Sequence, residues 1–181
     1  VGVVCAMLDE VRQPDGGHLF IVKGGTAMQL RLGIRARATT DLDVVFAGRV
    51  EDWLTHFDAV TIERSWNGFT IARTAPPVQI DVNTAGYRPW RVPLQLRYEG
   101  RQFGSVSLEV AIDDAAGGHE DLIAPDGIDL AAFEIDPPRL VPCLDVPYQI
   151  AQKLPACTEP LPGGNDRVRD IVDIWLLEAL I

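Results

Sequence analysis

The chain has 181 residues, of which 47% are hydrophobic and 23% charged, with a formal net charge of −10 at pH 7. This length and composition are typical of a soluble globular protein with one substantial domain or one domain and a small appendage. No run approaches the roughly 18 apolar residues that span a bilayer, and the N-terminus lacks a signal-peptide pattern. We therefore expect a cytoplasmic protein without a membrane segment. Three widely spaced cysteines without a CxxC pair argue against a disulfide framework or a zinc site.

The charge is distributed unevenly along the chain. Residues 106–181 hold 15 acidic and four basic residues, whereas residues 20–105 hold 11 basic and eight acidic residues. The acidic whole argues against indiscriminate binding to nucleic acid. The locally positive middle still permits a phosphate-bearing substrate there.

The first distinctive feature is a short strand followed by a glycine turn and a helix. Residues 19–22 are an apolar run rich in strand formers. The glycine turn that follows consists of Lys23, Gly24, Gly25 and Thr26. Thr26 is expected to cap the next helix, and Gly33 to end it. Because glycines let backbone approach a ligand and a helix N-terminus offers free N–H groups, this turn is a candidate triphosphate site. The alternative is a tight turn with an ordinary helix cap.

Two aspartates begin the next predicted strand. Because strand side chains alternate, Asp41 and Asp43 point to one face and Leu42 points into the core. Two neighbouring carboxylates repel each other unless a cation neutralises them, and oxygen ligands favour Mg²⁺ (or Mn²⁺). An Asp-x-Asp pair taken alone is often a solvated turn or edge pair. Here the apolar residues 44–46 indicate a buried strand, so the acids are expected at the mouth of a cleft.

The remaining elements predict an α+β fold. A short helix is expected near Trp53, followed by strands and a hairpin tip at Glu99-Gly100-Arg101. The predicted strands are 69–72, 78–82, 92–98 and 106–112. Residues 113–147 are predicted to form a long acidic connection with a short helix near residues 130–133. Helices are predicted at 146–154 and 166–181, the second capped by Asn165.

This order of elements divides the chain into two parts. Mixed strands followed by helices indicate a mixed sheet with flanking helices rather than a regular βαβ array. We predict a sheet domain over residues 1–112. Residues 113–181 are predicted to contain the acidic connection and a C-terminal helical portion that completes the active site.

The last predicted helix has two contrasting faces. At 100° per residue, Val168, Ile171, Val172 and Trp175 form one apolar face. Asp166, Asp170 and Asp173 lie together on the opposite side, flanked by apolar residues. The acids are therefore expected to face an interior cleft, where Lys153 is the natural cation to pair with them. The alternative is an ordinary surface salt bridge worth less than ~1 kcal/mol.

Taken together, these motifs resemble a known family. The stretch from Lys23 to Arg31, with Thr39-Thr40-Asp41-Leu42-Asp43, resembles the GG[ST]…DxD signature of the DNA polymerase beta-type nucleotidyltransferase superfamily. More narrowly, it is similar to the AbiEii/AbiGii toxin family. Residues 148–154 and 167–174 resemble that family's later QK and RDxxDL motifs. The chain departs from the family at Pro155, where a histidine is usual, and proline is expected to end the helix there.

The resemblance implies a fold, an activity and a set of site residues. It implies a metal-dependent nucleotidyltransferase that moves an NMP from an NTP to an acceptor hydroxyl. The implied catalytic residues are Asp41, Asp43, Lys153, Asp170 and Asp173. The implied nucleotide-binding residues are Lys23, Gly24, Gly25, Thr26, Thr39 and Arg31, although the basic loop beside Arg31 is equally compatible with a solvated segment. Asp41 and Asp43 would bind Mg²⁺ or Mn²⁺ with a third carboxylate from a neighbouring strand. The pattern favours Glu109 over Asp81, and either residue is also compatible with a solvent-facing strand position.

The same resemblance implies biological partners. The protein is expected to be the toxin of a toxin–antitoxin or phage-defence pair, with a cognate antitoxin and an RNA or tRNA acceptor. Two alternatives stay open at this point. One is a small-molecule nucleotidyltransferase of the antibiotic-modifying kind, and the other is a non-catalytic module that binds a nucleotide or a protein.

Overall fold

The computed structural model describes residues 2–36, 39–62, 64–80, 88–124, 140–158 and 167–181. Several sequence predictions fall outside these ranges: Asp81, the short helix near residues 130–133, the Asn165 cap and Asp166. Within the described ranges, no helix has the length and apolar character needed to cross a membrane.

The described residues include five α-helices. They are α1 (Gly2–Asp9), α2 (Gly24–Leu32), α3 (Trp53–Thr61), α4 (Val146–Thr158) and α5 (Val168–Glu178). The helix α2 ends as predicted, because Gly33 follows it with a φ of 55°, a conformation that favours glycine. In α3, the buried residues Trp53, Phe57 and Val60 recur at helical spacing and form its inner face.

The strands of the described residues form one mixed sheet. They are β1 (Phe20–Val22), β2 (Asp41–Phe46), β3 (Ser65–Trp66), β4 (Phe69–Arg73), β5 (Val78–Gln79), β6 (Trp90–Tyr98), β7 (Arg101–Ile112), β8 (Glu120–Ile123) and β9 (Val141–Leu144). Their order is β3-β4-β6-β7-β2-β1-β9-β8, with β5 also paired to β6. The pairs β2–β7 and β1–β9 are parallel, and the other pairs are antiparallel. This mixed sheet with flanking helices confirms the predicted α+β class.

The β6–β7 hairpin was predictable from its turn residues. Tyr98 pairs with Arg101, so Glu99 and Gly100 are the two central residues of the turn. Both have positive φ, 47° and 76°. A turn with positive φ at both central residues matches the right-handed twist of the two strands that it joins. The predicted tip is therefore confirmed.

The central strand β2 separates the apolar core from the acidic side. Leu42, Val44 and Phe46 are fully buried in a cluster that includes residues of α1 and α3. Because side chains alternate along a strand, Asp41 and Asp43 point to the opposite face of the sheet, as predicted. The sheet therefore presents both carboxylates on the side away from its main core.

The region between β7 and α4 differs from the prediction. It was expected to be a connection, but it contains β8 and β9, which extend the sheet beyond β1. All four residues of β9 are buried, although its sequence Val-Pro-Cys-Leu has little strand character. Tertiary pairing with β1, in which Cys143 lies beside Val22, overrides this weak local preference. The division of the chain at residue 112 stays a prediction.

The helix α4 is longer than its proline suggested. Pro155 was expected to end it, yet the helix runs on to Thr158. Proline removes one hydrogen bond to the carbonyl of Ala151, and that residue is exposed, so water can satisfy the carbonyl. Thr158 adds a side-chain hydrogen bond to the Leu154 carbonyl at 2.9 Å. The expectation that Pro155 ends this helix is therefore wrong.

Candidate active site

The glycine turn lies directly against Asp43. The backbone N–H of Lys23 donates to the Asp43 carbonyl oxygen at 2.9 Å. Gly24 has a φ of 58°, and a Cβ placed there would overlap Oδ2 of Asp43. Glycine is thus required twice at this position, once for backbone conformation and once for space. The turn and the aspartate form one packed unit, as their spacing in the sequence suggested.

Asp43 carries an unfavourable negative charge. Burial raises the pKa of Asp43 above its ordinary value, and the Glu109 and Asp41 carboxylates raise it further. The charge of Lys23 and a hydrogen bond from the Gly25 backbone act in the opposite direction without cancelling the rise. A cation bound here would relieve this excess charge.

Two threonines hold the start of β2. The Thr26 hydroxyl donates to the Asp41 carbonyl oxygen at 3.0 Å, and the Thr39 hydroxyl donates to the same oxygen at 3.4 Å. Thr26 lies inside the first turn of α2, whose N-cap is Lys23, so the predicted Thr26 cap is wrong. Thr26 is only 1% exposed and its hydroxyl holds the start of β2, so its contact with a phosphate stays a prediction.

The third predicted carboxylate lies next to Asp43. Glu109 is the direct partner of Asp43 in the parallel β2–β7 register, so their side chains share one face of the sheet. Arg91, on the other neighbouring strand, donates to Oε1 of Glu109 at 2.7 and 3.1 Å. In the described parts of the chain, no group of three or more His, Cys, Asp or Glu side chains is arranged to hold a metal ion. Glu109 is thus engaged by Arg91, and its place as the third metal ligand stays a prediction.

A second charged cluster connects α4 and α5. Nζ of Lys153 donates to Oδ1 of Asp170 at 2.7 Å and to Oδ2 of Asp173 at 2.8 Å. The three side chains are only 12%, 11% and 2% exposed. The predicted pairing is confirmed, and the alternative of a surface salt bridge is wrong. The apolar face of α5 is exposed, and its Trp175 is 69% exposed.

The charge of this second cluster is balanced. Burial acts to raise the pKa of Asp170, but hydrogen bonds and charge from Lys153 and Arg167 outweigh burial and lower it. Nε of Arg167 donates to Oδ2 of Asp170 at 2.6 Å. Both oxygens of Asp170 are therefore held by cations.

The two clusters open onto one cleft of about 350 Å³. Its lining combines residues from both ends of the sequence: Lys23, Gly24, Gly25, Asp43, Gln149, Gln152, Lys153, Pro155, Ala156, Arg167 and Asp170. The glycine turn and Asp43 form one side, and α4 with the start of α5 forms the other. The structure thus gathers residues more than 100 positions apart around a space large enough for a small ligand.

Residues 6–179 match the family described as "Nucleotidyl transferase AbiEii toxin, Type IV TA system". The chain belongs to this family. The match includes the glycine turn, the Asp41–Asp43 pair and the Lys153 cluster, so it covers both sides of the cleft. Among curated proteins, no sequence matches the chain.

A solved structure of a nucleotidyltransferase toxin shares the fold of this AbiEii-family chain. The chain is similar to MenT4, a nucleotidyltransferase toxin from Mycobacterium tuberculosis H37Rv, with a TM-score of 0.53 and 20% identity. This similarity covers 83% of the chain but only 49% of MenT4, so the chain spans about half the length of that protein. A candidate nucleotidyltransferase from H. pylori has a TM-score of 0.47 at 17% identity, covering 94% of this chain and 61% of its own. ANT(2″)-Ia, solved with adenylyl-2″-tobramycin, has a TM-score of 0.39 at 16% identity, covering 98% of this chain and 92% of its own.

One predicted nucleotide-binding residue of this AbiEii-family chain, Arg31, is not among the residues that line the cleft. Arg31 is a structural residue, since its side chain is only 7% exposed and forms an ion pair with Asp121 at 2.9 Å. It also donates to the Leu144 carbonyl oxygen at 2.8 Å. These contacts fasten α2 to β8 and β9, which were not predicted as strands. Arg31 thus has a role within the fold, and its contact with a nucleotide stays a prediction.

Three further residues contact the AbiEii-family cleft or its carboxylates and were not predicted from the sequence. Arg167 lies three residues before Asp170, a spacing that places both on one helical face and could have identified it. Arg91 could have been found only from the β6–β7 register, which pairs it with Glu109. Gln149 lies in the stretch 148–154 that resembles the QK motif, but the sequence alone indicates no role for it.

Proposed function

We propose that the protein transfers a nucleoside monophosphate from an NTP to an acceptor hydroxyl. The observation that carries this proposal is the cleft, because the glycine turn, Asp43, Lys153 and Asp170 all line it. Membership of a nucleotidyl transferase family supports the same activity. In the proposed reaction, the acceptor oxygen bonds to the α-phosphorus, the bond between the α- and β-phosphates breaks, and pyrophosphate leaves.

The glycine turn would bind the triphosphate. The helix α2 begins at Gly24, so its first N–H groups and the positive end of its dipole lie at the cleft. Lys23 adds a positive charge on the same side, and Lys153 with Arg167 adds positive charge on the other. Asp170 and Asp173 would keep the Lys153 ammonium in place, since they bind it at 2.7 and 2.8 Å.

Asp41 and Asp43 would hold a divalent cation, with Glu109 as the third candidate ligand. The donor set fits Mg²⁺ or Mn²⁺, because it consists of carboxylate oxygens and the raised pKa of Asp43, caused first by burial, reflects uncompensated negative charge. Mg²⁺ at such a site supplies charge neutralisation for the phosphates and the departing pyrophosphate. Thr26 and Thr39 would fix the backbone that presents Asp41.

The biological setting follows from the family. We infer that the protein is the toxin of a toxin–antitoxin pair, because the family is described as the toxin of a Type IV TA system. RNA, including tRNA, is the proposed acceptor, and an antitoxin is the proposed partner. Sequencing RNA from cells that express the chain tests the acceptor, with added 3′-terminal nucleotides as the expected result. Unmodified RNA ends in cells that are nevertheless inhibited would reject an RNA acceptor.

The activity can be tested with α-labelled NTPs, Mg²⁺ and cellular RNA. The Asp41→Ala variant should lose at least about 100-fold of the label transfer, as expected when a transition-state charge contact is removed. This variant keeps the backbone carbonyl that both threonines contact, so the fold around β2 is retained. Asp52→Ala is a matched control, because Asp52 is exposed and makes no side-chain cap contact at α3. Equal transfer by wild type and Asp41→Ala would reject the proposal.

A further inference from the structure

Gln149 is a buried polar residue in the wall of the cleft. It lies on α4, one turn before Lys153, and is 2% exposed. Its Nε2 donates to the Leu144 carbonyl oxygen at 2.7 Å. Within the described part of the chain, its Oε1 is buried and accepts no hydrogen bond.

The orientation of this amide is fixed by its neighbours. The Leu144 carbonyl oxygen already accepts a hydrogen bond from Arg31 at 2.8 Å, and Gln149 supplies the second. Rotating the amide by 180° would place Oε1 against that oxygen, so two acceptors would repel each other. The Lys153 ammonium on the next turn is held by Asp170 and Asp173. Among the described residues, Oε1 is thus a buried acceptor to which no donor is bonded.

The chemistry of the missing donor distinguishes the parts of a nucleotide. Phosphate oxygens are acceptors at neutral pH and would be repelled by Oε1. Ribose hydroxyls and the amino groups of bases donate hydrogen bonds. The cations and backbone N–H groups of the cleft, at Lys23, Gly24 and Arg167, suit the phosphates instead. Gln149 therefore marks the part of the cleft that suits a nucleoside.

We propose that Oε1 of Gln149 accepts a hydrogen bond from the nucleoside of the bound NTP, donated by a ribose hydroxyl or a base amino group. Gln149 is then a specificity residue, since a nucleotide without that donor leaves a buried acceptor unpaired. This inference rests on the proposed function, because both require an NTP in the cleft.

Calorimetry with Mg²⁺ and no acceptor tests the inference through pairs of nucleotides that differ by one donor. ATP is compared with 2′-deoxy-ATP and with 3′-deoxy-ATP to test the ribose. For the base, ATP is compared with purine riboside triphosphate, GTP with ITP, and CTP with pyrimidinone riboside triphosphate. Wild type should bind one analogue about tenfold more weakly than its parent. Gln149→Met should bind both members of that pair equally.

The ratio of two dissociation constants within one protein cancels any effect of the substitution on folding. Gln152→Met is the matched control, since Gln152 lines the cleft on the same helix, and it should keep the wild-type ratio. The inference is overturned if wild type discriminates in no pair, or if Gln149→Met keeps the wild-type ratio. Both of those results leave the proposed function intact. Failure of wild type to bind any NTP would overturn the proposed function and this inference together.

Discussion

The two sides of the cleft use aspartates in opposite ways. On the N-terminal side, Asp43 lies beside Asp41 and Glu109, and its pKa is raised by burial and by these two carboxylates. On the C-terminal side, Asp170 is also partly buried, yet hydrogen bonds from Lys153 and Arg167 lower its pKa. Ionisation of an aspartate is thus unfavourable at Asp43 and favourable at Asp170.

This difference separates a site that needs a ligand from one that is complete. The N-terminal carboxylates gain from any cation that enters the cleft, because it would relieve their mutual repulsion. The C-terminal cluster already contains its cations, so its stability comes from contacts within the chain. We infer that the C-terminal cluster holds Lys153 in position, while the N-terminal carboxylates provide the place where a cation can bind.

The largest expected effect comes from removing the central cation of the C-terminal cluster. Lys153→Met leaves Asp173, whose side chain is 2% exposed, without the ammonium that it contacts at 2.8 Å. Removing one partner of a buried ion pair costs about 3–5 kcal/mol in the free energy of unfolding. Urea denaturation measures the loss directly.

Two further variants sharpen that result. Arg167→Gln should cost less than about 1 kcal/mol, because the Arg167 side chain is 42% exposed. Adding Asp173→Asn to Lys153→Met should recover part of the loss, since the buried charge is then removed. If Lys153→Met costs no more than Arg167→Gln, the C-terminal cluster is not a buried unit.

A smaller effect is expected from filling the space beside Asp43. Gly24→Ala should cost about 2–4 kcal/mol, because it combines a positive φ with overlap between the new Cβ and the Asp43 carboxylate. It should also abolish Mg²⁺-dependent nucleotide binding, measured by calorimetry.

Gly100→Ala is the matched control for Gly24→Ala. Gly100 also has a positive φ, 76°, but a Cβ there meets nothing within 4 Å. It should cost only about 1–2 kcal/mol and leave nucleotide binding unchanged. Equal losses of stability in the two variants would show that the contact with Asp43 is unimportant.

The sequence predicted the N-terminal side well because its signals are local. A glycine turn, a helix stop and alternating strand residues each act within a few positions, so Gly24, Gly33 and the Asp41–Asp43 pair could be interpreted directly. The acids of α5 were also predictable, since helical periodicity placed Asp170 and Asp173 on one face.

Contacts between distant strands were not predictable in the same way. The role of Arg31 depends on β8 and β9, whose sequences have weak strand character and which join the sheet through pairing with β1. The hydrogen bonds from Arg91 to Glu109 depend on the register of β6 and β7. The course of α4 through Pro155 depends on the exposure of the preceding turn.

The smallest expected effect is a change in the free energy of unfolding when either aspartate is replaced by asparagine. It should have opposite signs on the two sides of the cleft and should depend on pH. The raised pKa of Asp43, due first to burial, means that its ionised form opposes folding above that pKa. Asp43→Asn should therefore raise the free energy of unfolding at pH 7, by less than about 1 kcal/mol. As the pH falls, the Asp43 carboxylate is protonated in the folded protein at a higher pH than in the unfolded chain. The gain in stability should therefore shrink as the pH falls towards about 4, the ordinary aspartate pKa.

Asp170→Asn should behave in the reverse sense. Burial opposes ionisation of Asp170, but Lys153 and Arg167 lower its pKa, so its ionised form stabilises the fold above about pH 4. The variant should be less stable than wild type at pH 7, and this deficit should disappear as the pH falls below 4 through the lowered pKa. Denaturation curves at several pH values for the two variants make the comparison. We expect Asp43→Asn to raise the free energy of unfolding at pH 7 and Asp170→Asn to lower it. If both variants change it in the same direction, the two clusters do not differ in charge balance as inferred.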